Sequence, residues 1–276
     1  HIVEPDLAEL VRKAVDNNLL SASITPESAD AFIVCVPTPF LENSGSEESY
    51  QPDISFIKAA AHQISGVLKK GDLVVLESTS PVGTTEKLVS WLSEKRQDLV
   101  FPTSNDVHPD VNVAYCPERV LPGNAVRELL ENDRLVGGVT DKCSIKARAL
   151  YETFLEGGCS LTNARTAEMA KLTENASRDL NIAFANELSI ICEDLGIDVW
   201  ELIRLANLHP RVNILQPGPG VGGHCIAVDP WFIVARSPGH SDLIRQARVT
   251  NDRKPLWVLE RLALVIEKYL SSNNEK

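Results

Sequence analysis

The sequence predicts an α/β fold: a doubly wound, mostly parallel sheet followed by an all-helical domain. Three observations support this prediction. Short apolar, β-branched runs alternate with helical segments, which is typical of such sheets. The first two of these runs end at a proline-containing loop, as Phe32–Val36 does at Pro37. From Thr162 the strand pattern stops and a long helical segment begins.

Continuous apolar runs in the first part of the chain indicate strands that are buried on both faces of a parallel sheet. The predicted strands are Phe32–Val36, Asp72–Thr79, Asn112–Tyr115, Arg134–Val139 and Cys159–Leu161. The predicted helices of this part are Pro5–Asn17, Ile54–Lys70, Thr84–Arg96 and Cys143–Phe154. The acidic, serine-rich stretch Phe40–Pro52 predicts a mobile loop.

Ligands bind doubly wound sheets at the carboxyl ends of the strands. The segments VPTP (Val36–Pro39), STSPVG (Ser78–Gly83) and CPER (Cys116–Arg119) fall at those ends, so we expect the cofactor there. A dinucleotide-binding fold normally opens with a strand and a G-x-G-x-x-G turn, and no such turn precedes Asp30. Either this sheet does not bind a nucleotide, or the chain lacks the first βαβ unit.

Composition narrows the class of partner. The 276 residues include 27 basic and 38 acidic side chains, a formal charge of -11, which argues against nucleic acid. No apolar run approaches the ~20 residues of a membrane span. Six cysteines without a C-x-x-C pair favour reduced thiols in a cytoplasm over disulfides or a metal site. We therefore expect a cytoplasmic protein that binds no metal and no membrane.

The long helix predicted over Thr162–Gly196 carries a polar stripe. Its members recur at helical spacing and are Glu168, Lys171, Asn175, Asp179 and Asn186. One interpretation is a solvated face. The asparagines favour another, because asparagine is unfavourable inside a helix unless a partner holds it. A lysine and an asparagine one turn apart can also donate together to an oxygen that gains negative charge.

A glycine- and proline-rich loop, Gly218–Phe232, contains Cys225 and, four residues later, Asp229. Glycines such as Gly222 allow the backbone to approach a ligand closely. A thiol placed behind them can then reach a substrate. The alternative is a turn whose cysteine packs as a small hydrophobic residue. Beyond a short helix over Asp198–Ala206, the sequence predicts a last helix from Ser241 to about Leu270, interrupted at Pro255.

Together these stretches resemble the UDP-glucose/UDP-mannuronate dehydrogenase family. The matching motifs are VPTP, ESTSPVGTTE (Glu77–Glu86), YCPERVLPG (Tyr115–Gly123), AEMAKLTEN with NIAFANE (Ala167–Glu187), HPRVNILQPGPGVGGHCIAVDPWF (His209–Phe232) and ARVTND (Ala247–Asp252). They occur in the family's order and cover nearly the whole chain.

The resemblance implies an NAD-binding Rossmann-like domain over 1–161, without its first βαβ unit. It further implies a helical central domain over 162–251 that forms a homodimer through the long helix. Residues 252–276 would begin a linker helix to a UDP-binding domain. We accordingly expect an internal segment of a longer enzyme, inactive by itself and weak in NAD binding.

The implied reaction is the NAD-dependent, four-electron oxidation of a UDP-sugar C6 hydroxyl to a carboxylate. Family members that act on UDP-glucose usually carry lysine before the aspartate of the cysteine motif, whereas this chain has Val228 before Asp229. The motif GHCIAVDPWF resembles the corresponding motif of family members that act on N-acetylated sugars. A UDP-N-acetylhexosamine is therefore the expected substrate, with UDP-N-acetyl-D-mannosamine preferred over its GlcNAc epimer and over UDP-glucose.

By correspondence with the family, Cys225 forms the thiohemiacetal and thioester. The resemblance further implies that Lys171 and Asn175 donate to the C6 oxygen and to the substrate. Asp229 and Glu118 would transfer protons, and Thr79 would orient a water. NAD would be bound by Pro37, Thr38, Thr79 and Glu118, and the substrate also by Arg211 and Gly222.

Three alternatives remain open from the sequence. Glu118 could be a structural cap or salt-bridge carboxylate. An NAD enzyme for small hydroxy acids would share the helical lysine and asparagine but would have no need of Cys225. A catalytically silent dimerising core would need neither.

Overall fold

The computed structural model describes residues 4, 6–41, 50–103 and 108–274. The chain divides into two compact units, His1–Lys171 and Leu172–Lys276. The described strands of unit 1 are β1 (Ala31–Val34), β2 (Leu73–Leu76), β3 (Asn112–Tyr115), β4 (Arg134–Gly138) and β5 (Cys159–Asn163). Its described helices are α1 (Leu7–Asp16), α2 (Ser55–Ser65), α3 (Thr84–Lys95), α4 (Ala125–Glu131) and α5 (Asp141–Tyr151). Helix α6 (Ala164–Leu195) begins in unit 1 and ends in unit 2.

The five strands form one sheet in the order β1-β2-β3-β4-β5. All neighbours are parallel except β3 and β4. One face of the sheet packs under α2 and α3, and the other under α5. Helices on both faces of a mostly parallel sheet confirm the predicted α/β class.

The sequence predicted the strands more closely than the helix ends. Helix α2 ends at Ser65 and not at Lys70, because Gly66 begins a tight turn in which Val67 N–H donates to the Ile64 carbonyl. Helix α4 was not predicted. The predicted loop Phe40–Pro52 is closed by a bridge between these two residues, and its inner part, 42–49, lies outside the described residues, as does Pro5.

In unit 2, α6 is followed by α7 (Val199–Ala206), α8 (Asp229–Arg236) and α9 (Asp242–Asn274). The predicted interruption at Pro255 is wrong, since α9 continues through it. Proline removes one N–H donor, and the turns on either side keep the helix. Helix α8 was also not predicted, because Asp229 and Pro230, which occupy its first turn, look like loop residues in a glycine-rich stretch.

The polar stripe of α6 does not form a solvated face. Glu168, Asp179 and Asn186 are each 0% exposed, and Lys171 and Asn175 are half-buried. That interpretation of the stripe is therefore wrong. Buried polar groups require partners, and each of these five side chains has one within its own unit.

Candidate active site

The loops that follow β1 and β2 are joined by hydrogen bonds in unit 1. Val36 N–H donates to Ser78 Oγ at 2.7 Å. Thr38 Oγ1 donates to the Thr79 carbonyl, also at 2.7 Å. The parallel register brings the two loops to the same edge of the sheet. Thr38 and Thr79, both predicted at NAD, thus lie side by side, and Pro37, which directly precedes Thr38, is exposed.

Glu168 of α6 fixes the next part of the second loop. Its carboxylate accepts from Gly83 N–H at 2.6 Å, from Thr85 N–H at 2.8 Å and from Thr85 Oγ1 at 2.6 Å. These donors stand at the start of α3, so the carboxylate caps that helix. Burial raises the pKa of Glu168, and the hydrogen bonds from Thr85 and Gly83 act in the opposite direction.

Lys171, one turn after Glu168, contacts the loop that follows β3. Its Nζ donates to the Glu118 carbonyl oxygen at 2.8 Å. The Glu118 side chain accepts through Oε1 from Val120 N–H, two residues along the chain. That bond closes a local turn and engages one oxygen of Glu118; no described helix begins there, so it is not a helix cap. Two predicted catalytic residues are thus brought together, through the main chain of Glu118.

A second polar cluster lies at the same sheet edge, on the α5 face. Tyr151 OH donates to Glu77 Oε1 at 2.5 Å, and Cys35 Sγ donates to Glu77 Oε2 at 3.4 Å. Partial burial and the Glu77 carboxylate raise the pKa of Cys35 to about 12. The Cys35 thiol therefore stays protonated near neutral pH and is a poor nucleophile.

Unit 2 contains the cysteine loop, in which Cys225 is exposed. Its carbonyl oxygen accepts from Val228 N–H at 3.0 Å and from Asp229 N–H at 2.8 Å. One turn of chain therefore joins the thiol residue to the start of α8. Exposure of Cys225 contradicts the interpretation of this residue as packed core.

Asp229 is only 2% exposed, and Asn175 Nδ2 of α6 donates to its Oδ2 at 2.5 Å. The structure thus brings together two more predicted catalytic residues, next to the turn of Cys225. Arg211 and Gly222, predicted at the substrate, are exposed and stand outside this pair. The Arg211 N–H donates to the ring of His209.

Unit 2 also contains a buried network that the sequence did not predict as part of the site. It consists of Asp179 and Asn186 of α6 with Arg248 and Asn251 of α9. The available signal was the spacing of three between Arg248 and Asn251, which places both on one face of a helix. Their burial could not be inferred from that spacing.

Within the described ranges, no group of three or more His, Cys, Asp or Glu side chains could hold a metal ion. Across the same residues, no helix has the length and apolar character needed to cross a membrane.

Two family models match the chain. Residues 1–155 match the NAD binding domain of the UDP-glucose/GDP-mannose dehydrogenase family, and residues 165–253 match its central domain. Among curated relatives, the UDP-N-acetyl-D-mannosamine dehydrogenase of Escherichia coli K12 is 59% identical over 276 residues, 100% of this chain and 64% of the relative. The NDP-N-acetyl-D-galactosaminuronic acid dehydrogenase of Ralstonia nicotianae is 62% identical over 269 residues, 98% of this chain and 62% of the relative.

A solved structure with a similar fold is the UDP-D-ManNAc dehydrogenase of Pyrococcus horikoshii. It has a TM-score of 0.86 and 39% identity, and the match covers 98% of this chain and 62% of that one. The present chain therefore spans less than two thirds of the length of each of these three relatives.

Proposed function

Because this chain belongs to the UDP-glucose/GDP-mannose dehydrogenase family, we propose that the full-length protein is an NAD-dependent UDP-sugar 6-dehydrogenase. The proposed reaction converts the C6 hydroxyl to a carboxylate: R–CH₂OH + 2 NAD⁺ + H₂O → R–COO⁻ + 2 NADH + 3 H⁺. One observation carries the proposal. The exposed Cys225 and the buried Asp229 are fixed in one turn, with Asn175 donating to the Asp229 carboxylate.

The proposed substrate is a UDP-N-acetylhexosamine, and UDP-N-acetyl-D-mannosamine is the first candidate. The name of the E. coli relative, at 59% identity, supports this choice. The Ralstonia relative is 62% identical and is named for an N-acetyl-D-galactosaminuronic acid, so another N-acetylhexosamine epimer is the second candidate. Val228, in place of the lysine usual in UDP-glucose enzymes, supports the N-acetylated class.

The side chains at the unit 1 sheet edge fit an NAD ribose and nicotinamide. Thr38 and Thr79 supply hydroxyl groups, and Glu118 supplies a carboxylate, which suit ribose hydroxyls. We propose that these residues, with the exposed Pro37, hold NAD. When bound, NAD supplies the hydride acceptor for both oxidations.

For the first oxidation, we infer that Lys171 and Asn175 donate to the C6 oxygen. A lysine ammonium carries three N–H donors, so its bond to the Glu118 carbonyl leaves it able to donate to a substrate as well. The hydroxyl proton leaves to Asp229 or Glu118, and a hydride leaves C6, which gives an aldehyde. The Lys171 ammonium and the neutral Asn175 amide stabilise the oxygen by hydrogen bonding while it carries negative charge.

For the second oxidation, the Cys225 thiolate adds to the aldehyde carbon, and a C–S bond forms while the oxygen becomes an alkoxide. Lys171 and Asn175 stabilise this oxyanion. Loss of the second hydride from C6 leaves a thioester. A water oriented by Thr79 and deprotonated by Asp229 or Glu118 then cleaves the C–S bond, which releases the acid and restores the thiolate.

Cys225→Ser in the full-length protein tests this route. NADH formed per substrate is measured with UDP-ManNAc and its GlcNAc and galactosamine epimers, with UDP-glucose as control. We expect two NADH per sugar in the wild type and no acid in the variant, because serine forms no comparable thioester. Normal acid formation by the variant would rule out the covalent route. One NADH per small hydroxy acid would favour the rival enzyme class.

We also propose that the full-length protein is a homodimer through its central domain. The support is a row of exposed apolar side chains on the long helix α6, namely Phe184, Ile191 and Leu195, at steps of seven and four. An apolar row of this kind is typical of a protein interface. Sedimentation equilibrium measures the mass, and a monomer at micromolar concentration would contradict the proposal.

A further inference from the structure

The loop between Gly218 and Asp229 is hydrogen-bonded at both ends by asparagines of helix α6. At its far end, Asn175 Nδ2 donates to Asp229 Oδ2. At its near end, Gly218 N–H donates to Asn186 Oδ1 at 2.9 Å. The two asparagines are about three helical turns apart and therefore share one side of the helix. Cys225 lies between the two bonded ends.

The bond at Gly218 is the main-chain anchor that the local sequence allows. Gly218 stands between Pro217 and Pro219, neither of which has an N–H. Its N–H is therefore the backbone donor of this three-residue stretch. Among the described residues, no backbone carbonyl accepts it; the acceptor is the side-chain oxygen of Asn186.

The orientation of the Asn186 amide is fixed by a buried network. Asn186 Nδ2 donates to Asn251 Oδ1 at 2.8 Å. Asn251 Nδ2 donates in turn to Asp179 Oδ1 at 2.8 Å and to the Asp179 carbonyl at 3.0 Å. Arg248 Nη1 donates to the same Asp179 oxygen at 2.5 Å. Since Asn251 presents its oxygen to Asn186, the Asn186 amide nitrogen faces Asn251 and its oxygen faces Gly218.

These four side chains are 0 to 1% exposed, so water cannot replace their bonds. The loop also approaches helix α9 closely, because a Cβ on Gly220 would stand 3.0 Å from Pro255 Cγ. Both features fix the first residues of the cysteine loop against α6 and α9.

We propose that Asn186 is a positioning residue for Cys225, acting through the Gly218 N–H. The proposal deepens the proposed function and rests on the role given there to Cys225. Asn186 touches no reacting atom. Its amide sets where the loop leaves the helix pair, and thereby the position of the thiol seven residues further on.

The test compares matched variants of the full-length protein. Asn186→Ala removes the acceptor. Gly218→Pro removes the donor and changes no side chain of the buried network. Gly218→Ala keeps the N–H, and its added Cβ meets no atom within 4 Å. Asn181→Ala is the control on the same helix, because Asn181 is exposed and its Nδ2 donates to the Ser177 carbonyl, one turn earlier on α6.

We expect Asn186→Ala and Gly218→Pro to lower kcat for NADH formation about 10- to 100-fold, since small misplacement of a reacting group has effects of that size. The dissociation constant of the UDP-sugar, measured calorimetrically, should change less than about threefold. Hydrogen exchange of segment 218–229 should become about tenfold faster in both variants. Gly218→Ala and Asn181→Ala should stay within about twofold of wild type in all three measurements. The kcat of the Asn186→Ala/Gly218→Pro double variant should be no lower than that of the slower single variant, because both changes remove the same hydrogen bond.

Exchange that rises over the whole of α6 and α9 with an unchanged kcat would assign Asn186 a purely structural role and overturn the inference. An unchanged kcat in a well-folded Asn186→Ala would overturn it too. A wild type that forms no acid, but shows the same exchange pattern across the variants, would instead refute the proposed function and leave the anchoring of the loop intact. If Asn186→Ala does not fold, the comparison of Gly218→Pro with Gly218→Ala tests the inference by the same criteria.

Discussion

Glu168 and Asp179 are carboxylates of the same helix, about three turns apart, and both are 0% exposed. Their partners differ. In unit 1, both oxygens of Glu168 accept from neutral donors of Gly83 and Thr85. In unit 2, Asp179 Oδ1 accepts from the Arg248 guanidinium and the Asn251 amide, while its Oδ2 is buried and accepts no hydrogen bond from any described residue.

The difference shows two ways to keep a carboxylate inside a protein. Glu168 relies on complete hydrogen bonding by a loop and a helix start, with no ion pair to any described residue, and burial raises its pKa. Asp179 relies on one cation that compensates for incomplete hydrogen bonding; burial raises its pKa as well, against the lowering effect of Arg248. We therefore expect the stability of unit 2 to depend on the single side chain of Arg248, and the stability of unit 1 to depend on the sum of several weaker hydrogen bonds.

Loss of the cation should have the largest effect. Arg248→Met leaves Asp179 buried beside an uncharged side chain, which costs about 3 to 5 kcal/mol of unfolding free energy. Urea denaturation measures the loss, and hydrogen exchange should become faster in α9. Arg261, whose side chain is 40% exposed and pairs with Glu193 at 3.2 Å, provides the control, and Arg261→Met should lose less than about 1 kcal/mol.

A compensating change sharpens this expectation. Adding Asp179→Asn to Arg248→Met removes the unpaired charge, so part of the stability should return. An Arg248→Met variant as stable as Arg261→Met, or a double variant weaker than Arg248→Met alone, would contradict the dependence of unit 2 on this cation.

Glu168→Gln should have a smaller effect, about 1 to 3 kcal/mol. Either orientation of the glutamine amide points an N–H at a main-chain donor, of Gly83 or of Thr85. Thr85→Val removes only the hydroxyl donor and should cost about 1 kcal/mol. Urea denaturation gives the totals, and exchange should rise around Gly83 and the start of α3. Equal losses in the two variants would show that the main-chain bonds contribute little.

The pH dependence of Glu168→Gln should give the smallest effect. Because the folded pKa of Glu168 lies above its ordinary value, its protonated form stabilises the fold at low pH, and that contribution is lost as pH rises through the folded pKa. The stability gap between wild type and Glu168→Gln should therefore narrow from pH 4 to pH 8. A gap that widens over this range would mean that the hydrogen bonds outweigh burial.

The sequence predicted the parallel strands well, because continuous apolar runs such as Phe32–Val36 are typical of strands buried on both faces. It did not predict where α2 ends or that β4 runs antiparallel to β3, since neither changes the local apolar pattern. It also did not predict helix α8, because the glycines that precede Asp229 are typical of a loop.

For the site, residue identities came from motifs: Cys225, Lys171, Asn175 and Asp229 were all named from the sequence. Their partners were not. Helical spacing placed Glu168 and Asn186 on one stripe, but the same spacing is equally compatible with a solvated face. Burial decided between the two, and burial depends on residues far away in the chain, such as Gly83 and Gly218.

The sequence by itself determined the alternation of strands and helices, the acidic composition of the chain, and which side chains can act as nucleophile, acid, base or hydrogen-bond donor. Only the tertiary structure decided that Cys225 is exposed while Asp229 and Asn186 are buried, and which partner each polar group takes. The physical reason is the separation along the chain over which each interaction acts. Periodicity and turn chemistry act between near neighbours in the chain, whereas desolvation and hydrogen-bond pairing are set by segments that folding brings together from many residues away.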